Sequence, residues 1–193
     1  MIGLCCAYFL TQEGHKVRLI DRMPDGDQNG CSFGNAGYVC PSHFVPLAAP
    51  GMITKGLKWM LNPESPFYVK PRLNVDLLRW VLNFKRATSS RRMERAMPVL
   101  KDLGILSREL FEQMEASLDF TLVKKGLIML CMNQESLEEE SGLAKRANAF
   151  GIGAKTLSRQ DISVMQNGLE LEAAGGVIYP TDGHLVPGEL MAS

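Results

Sequence analysis

Gly3 opens a run of helical character that reaches to about Glu13, and Asp21 follows 18 positions later, at the end of the alternating segment Lys16-Val17-Arg18-Leu19-Ile20-Asp21. A glycine at the start of a helix lets another backbone or a ligand come close. The first N–H groups of the helix have no partner within it and can face an anion. An acid about 20 residues on, at the tip of the next strand, is where a ribose hydroxyl finds its acceptor in a βαβ unit that takes a dinucleotide. Met1-Ile2 would then occupy the x-x of G-x-G-x-x-G, with Gly3 as its third glycine. On this reading the first strand and two glycines are missing, and the chain starts inside its own motif. The same residues also read as an amphipathic helix with a fortuitous glycine and an aspartate that merely ends a strand.

A second group of residues follows in the turn-forming stretch RMPDGDQNGCSFGNAG, which holds four glycines. Gly34 and Gly37 would let the backbone approach a ligand, while Ser32 and Asn35, ahead of Ala36, offer hydrogen bonds. Without a ligand the stretch is an Asx-rich turn. The three histidines are scattered: His15 in a turn, His43 in PSHF, His184 in DGHLVP. His43 and His184 are candidates to face a substrate, and each is equally a loop histidine with no visible partner. Nothing in their spacing suggests metal ligation. No G-x-S-x-G or Ser-His-Asp arrangement appears, and Glu138-Glu139-Glu140 is most simply a solvated helix face.

The elements that must hold these residues can be read from periodicity. Leu4, Ala7, Tyr8 and Leu10 form the apolar face of the first helix, which Gly14 stops in a left-handed conformation. KVRLID alternates as a strand. PSHFVPLAAPG is a proline-stiffened connector. MITKGLKWML and VDLLRWVLNFKRA are amphipathic helices, interrupted by NPESPFYVKPRLN. A long helix spans Met93 to Met114, with Met93, Met97, Leu100, Leu103, Leu110 and Met114 at the three-and-four repeat and Pro98 in its first turn or at a kink. FTLVKKGLIMLCMN reads as two strands around Lys124-Lys125-Gly126. QESLEEESGLAKRANAFG is a helix closed by Gly151, and Ser158 with Asp161 has the spacing of a capping box before a helix reaching Met165. GGVIYPTDGHLVPGEL is a strand, a turn at Asp182-Gly183, and a helix with Pro187 at its first position.

Bulk composition excludes several classes. Lys+Arg 21 balances Asp+Glu 21, so no electrostatic case exists for nucleic acid. The five cysteines are odd in number and lack a C-x-x-C pair; three lie in apolar runs, so they read as reduced thiols in a reducing compartment. The N-terminus lacks a basic n-region, and no run approaches the roughly 20 apolar residues of a membrane span.

The stretch GCSFGNAGYVCPSHFVPLAAPGMITKGLKWMLNPESPFYVKP resembles the flavin-dependent D-amino-acid dehydrogenase branch of the glycine/D-amino-acid oxidase family. The shared pattern is Ser32, Asn35, Ala36 and Gly37, then Ala48-Ala49-Pro50-Gly51 and Lys58-Trp59. GGVIYPTDGHLVPGEL is similar to the strand–turn–helix by which such enzymes return to their flavin domain. The resemblance implies an α/β (α+β) fold: a partial Rossmann-like FAD-binding domain with an inserted mixed substrate domain. Residues 1–50 would be the FAD part, 51–170 the substrate or cap part, and 171–193 the return.

The resemblance also implies FAD as cofactor and an amino acid as substrate. The α-hydrogen of a D-amino acid would leave as hydride to the flavin, and the imino acid would hydrolyse to a 2-oxo acid and ammonia. Asp21 would hold the adenosine ribose, with Arg22 beside it at the diphosphate or adenine edge unless it is a surface arginine. Ser32, Gly34, Asn35, Ala36 and Gly37 would pass the pyrophosphate and isoalloxazine. Glycine, sarcosine, proline or hydroxyproline fit the same fold as substrates, and a non-catalytic remnant or interaction module is the rival reading. The expected location is cytoplasmic. The relation to respiratory electron transfer adds a second expectation: peripheral contact with the inner face of a membrane, through Trp59, Trp80 and their flanking Lys and Arg, which otherwise pack in a core.

Overall fold

The computed structural model describes residues 1–22, 30–60 and 74–193. Part of the turn-rich stretch after Arg22 and nearly all of NPESPFYVKPRLN lie outside the described residues. The chain forms two compact units: Met1–Cys40 with Ser107–Ser193, and Pro41–Leu106. The expected substrate segment, 51–170, is thus distributed over both.

The first unit begins with α1 (Ile2–Gln12). Gly14 ends it with φ +82°, letting the His15 N–H reach the Leu10 carbonyl at 3.0 Å. That left-handed turn is open to glycine without the Cβ penalty other residues meet. Cys5, Tyr8 and Phe9 rest on a buried cluster of Val39, Met114, Phe120, Leu122, Leu185 and Leu190. The Tyr8 hydroxyl also meets Ser117 Oγ at 2.7 Å. Leu4 and Leu10, expected to be buried, are exposed. The cluster reaches only one narrow side of α1, so an apolar stripe wider than that contact is left in the open.

The segment Lys16–Asp21, expected as a strand, forms neither strand nor helix. A strand exists through hydrogen bonds to a neighbour, and none of the described residues pairs with it. Its Val17, Leu19 and Ile20 are exposed accordingly.

Two three-stranded sheets complete this unit, both wholly antiparallel. The first has the order β1 (Tyr38–Val39), β6 (Gly183–Leu185), β2 (Leu122–Val123). Tyr38 is opposite His184 and Val39 opposite Gly183; Leu122 is opposite Leu185 and Val123 opposite His184. Because side chains alternate across a strand, Val39, Leu122 and Leu185 share the face on the apolar cluster, and Tyr38, His184 and Val123 share the other. Helix α7 (Pro187–Ala192) follows, with Pro187 at the first helical position as its fixed φ favours.

The second sheet has the order β3 (Leu127–Cys131), β5 (Gly175–Tyr179), β4 (Lys155–Ser158). Thus the strands flanking Lys124-Lys125-Gly126 do exist but enter different sheets. Helices α5 (Gln134–Ala149) and α6 (Arg159–Met165) pack on this sheet. Ala144, Ala147, Ile152, Leu157, Ile162 and Val177 are buried there. Fully burying one such aliphatic side chain contributes about 2 kcal/mol. Asn133 caps α5 through the Ser136 N–H at 2.8 Å, and Ser158 with Asp161 forms the expected reciprocal box at the start of α6.

The second unit is helical: α2 (Met52–Met60), α3 (Val75–Ala87) and the first part of α4 (Ser90–Glu115). Asn74 caps α3 by accepting the Asp76 N–H at 2.7 Å. Trp80 and Phe84 stack with ring centroids 5.2 Å apart. On α4, Met93 and Met97 are buried, whereas Leu100 and Leu103 are exposed. Pro98 lies inside α4, beyond its first turn, because Ser89 begins the helix earlier than the apolar repeat suggested.

Candidate functional site

The first turn of α1 carries Gly3 and is reached by Ser32 and by Leu19 of the segment that leads to Asp21. The Met1 amino group donates to Ser32 Oγ at 3.2 Å. A Cβ placed on Gly3 would sit 3.6 Å from Leu19 Cδ1, in ordinary contact. The segment ending at Asp21 and the loop beginning at Gly30 therefore both touch this one turn. The first helical bond runs from the Cys5 N–H to the Met1 carbonyl at 3.0 Å, and the helix has no side-chain cap and no acid in its first turn. Its leading N–H groups and the Ser32 hydroxyl make a donor set that fits an anionic group such as a phosphate. Asp21 and Arg22 are exposed at the end of the neighbouring segment.

The loop from Gly30 to Gly37 is a chain of tight turns. Phe33 N–H bonds the Gly30 carbonyl at 3.0 Å, and Asn35 Oδ1 accepts the Gly37 N–H at 2.7 Å. Such a bond from a side chain to the backbone two residues on lets asparagine fix a turn by itself. Gly37 has φ +69°, and its carbonyl accepts the Leu185 N–H at 2.9 Å. Any Cβ there would run into the Leu185 carbonyl. Gly37 is thus required by the protein's own β6, whereas a Cβ on Gly34 would meet nothing within 4 Å. Ser32 is half-buried; Gly34, Asn35 and Ala36 are exposed.

Of the two histidines, His184 stands half-buried in the central strand β6. His43 is exposed in the other unit, with its Nδ1 3.3 Å from Ser42 Oγ. One pair escaped sequence reading. Asp182, read only as a turn residue, is buried, and Cys40 bonds to its carboxylate. Burial, and after it the charge of Asp182 and that hydrogen bond, push the Cys40 thiol up to about 12. Arg108 fastens the same turn: it donates to the Thr181 carbonyl at 2.9 Å and to Glu112 Oε1 at 2.9 Å. A separate cavity of about 240 Å³ between α1, Met114, Leu118 and α7 is mostly apolar and suits neither ribose nor phosphate.

Residues 1–193 match the DAO family model, described as FAD dependent oxidoreductase. The chain belongs to that family. Its relatives include a D-amino acid dehydrogenase of Helicobacter pylori, 31% identical over 194 residues, covering 100% of this chain and 46% of that protein. Another is D-amino acid dehydrogenase 2 of Ralstonia nicotianae, 36% identical over 133 residues, covering 67% of this chain and 31% of that protein. The chain therefore spans about half the length, or less, of these curated relatives. Glycine oxidase from Bacillus cereus shares its fold, with TM-score 0.58 at 18% identity over 97% of this chain and 38% of that one. Glycine oxidase from Geobacillus kaustophilus gives 0.52 at 18% identity, covering 85% and 33%. The mixed helix-and-strand architecture and the FAD-dependent family both agree with the expectation from sequence.

Proposed function

We propose that this chain is the part of an FAD-dependent D-amino-acid dehydrogenase that holds the adenine half of the cofactor and one side of the substrate. The observation that carries this reading is that Leu19 and Ser32 each reach the first turn of α1, whose leading N–H groups have no partner within the helix. FAD, when bound, supplies the hydride acceptor for oxidation of the substrate Cα–N bond. The chain's own residues bind and orient. Asp21 accepts from the ribose hydroxyls, and Arg22 lies at the diphosphate edge. The α1 N–H groups and Ser32 take the diphosphate. Gly34, Asn35, Ala36 and Gly37 form the wall of the cofactor cleft, held in shape by Asn35 and by β6. His184 faces the substrate from β6, with His43 as a second candidate.

Contact with a membrane surface belongs to the same proposal. Helix α3 exposes Val75, Leu78, Trp80, Val81 and Leu82 beside Arg79, Lys85 and Arg86, a composition suited to an interface that passes electrons to a respiratory acceptor. No helix among the described residues is long and apolar enough to cross a membrane.

The test is optical. Purified protein carrying this chain should show the visible flavin band, and a D-amino acid added without oxygen should bleach it. Colourless protein that added FAD does not restore would sink the proposal.

A further inference from the structure

We propose that Tyr38, paired with His184 on the open face of the β1–β6–β2 sheet, contacts the substrate and positions its carboxylate; this rests on the flavoenzyme reading above. Three observations lead there. Tyr38 is the first residue after the Asn35–Gly37 turn, so it emerges directly from the candidate cofactor loop. Its direction is fixed, because the backbone just before it is clamped twice, by Asn35 Oδ1 on the Gly37 N–H and by the Leu185 N–H on the Gly37 carbonyl. And its face of the sheet is the one turned away from the apolar cluster that holds Val39, Leu122 and Leu185.

The register sharpens the pairing. The Leu185 N–H to Gly37 bond marks those two as a hydrogen-bonded pair. Antiparallel pairs alternate, so Tyr38 and His184, one step along, form a non-hydrogen-bonded pair, the type whose side chains stand closer. Next along the same face Cys40 bonds to the buried Asp182, so the row beyond is fastened too. Tyr38 is 65% exposed, an aromatic ring that contributes little to this unit's core. A phenol and an imidazole side by side on rigid strands offer two hydrogen-bond donors to one carboxylate. Strand-mounted groups are placed more accurately than loop-mounted ones, as a substrate that must present its Cα–H demands.

The experiment uses the flavin-loaded protein carrying this chain, with propionate as a carboxylate probe that has no amine to oxidise. Propionate binding is read from the change in the flavin spectrum, FAD affinity from fluorescence, and folding from the melt. Tyr38→Phe should weaken propionate about ten-fold, the loss of one hydrogen bond to a charged group. His184→Ala should do the same, with His184→Gln, which keeps an N–H donor, in between. For the D-amino acid oxidised fastest, KM should rise by a similar factor, while FAD affinity and melting stay unchanged. Unchanged propionate affinity in both Tyr38→Phe and His184→Ala overturns the inference alone. A fall in FAD affinity with propionate binding intact also overturns it, because the pair would then line the cofactor. A wild-type protein that holds no flavin overturns the functional proposal and this inference together.

Discussion

Gly37 and Leu185 are joined so closely that the carbonyl of one residue occupies the space a side chain on the other would need. The two are far apart in sequence, and their contact is what ties the turn-rich loop behind α1 to the central strand β6. The candidate cofactor loop and the candidate substrate face are thereby parts of one rigid piece.

Gly37→Ala should therefore damage both. The backbone there has φ +69° and no room for a methyl group. The expected cost is about 2–4 kcal/mol, from strain at a left-handed position plus the forced separation of β1 and β6. Urea unfolding measures it; a midpoint equal to wild type would contradict the geometry.

Asp21→Ala should weaken FAD binding about ten-fold or more, since an acceptor for hydroxyl groups is lost. Asp21 is exposed, so the folded state should be little affected. Equal FAD affinity in mutant and wild type would remove Asp21 from the site.

The buried cluster beneath the first sheet can be probed at Phe120. Phe120→Ala should destabilise by about 3–5 kcal/mol, because the ring packs among Val39, Leu122, Leu185 and Leu190 and leaves a cavity. A loss below about 1 kcal/mol would mean the ring is not enclosed as described.

Acid should loosen α6 in a predictable direction. The Ser158 side-chain hydroxyl, and after it the Ser158 backbone N–H, donate to Asp161 and hold its carboxyl below the ordinary carboxylate range. A depressed folded-state value means the stabilisation is complete above the ordinary range and is lost as pH falls through the lowered one. Amide exchange in α6 should accelerate over that acid window, and Asp161→Asn should flatten the dependence. A variant with an unaltered pH profile would refute the box as its cause.

Thiol labelling should rank the cysteines. With its pKa near 12, Cys40 is only roughly one part in ten thousand thiolate at pH 8, so alkylation should be very slow. Cys6 and Cys31 are exposed and should react first. Asp182→Asn removes the neighbouring charge and should speed labelling of Cys40. Rapid reaction of Cys40 in the wild type would contradict its burial beside Asp182.

Features written in neighbouring residues were legible from sequence alone. Gly14 and Gly151 as helix stops, the Ser158–Asp161 box and Pro187 at a helix start all depend on bonds within a few positions. The Asn35–Gly37 turn and its place in a flavin-dependent family were legible too. The turn expected at Asp182-Gly183 lies instead at Pro180-Thr181, closed by the Asp182 N–H on the Tyr179 carbonyl, with Gly183 already in β6. Tertiary structure decided what depends on partners distant in the chain. Lys16–Asp21 has the alternation of a strand, but alternation cannot supply a neighbour to bond with. β1 is too short to show a period, and it exists because β6 arrives from the far end of the sequence. Gly37 is a case in point: sequence marks a glycine that needs free backbone, and only the fold reveals that Leu185 is a close neighbour. Short-range bonds are encoded where they form, whereas strand pairing and burial are fixed by whichever surface the rest of the chain brings alongside.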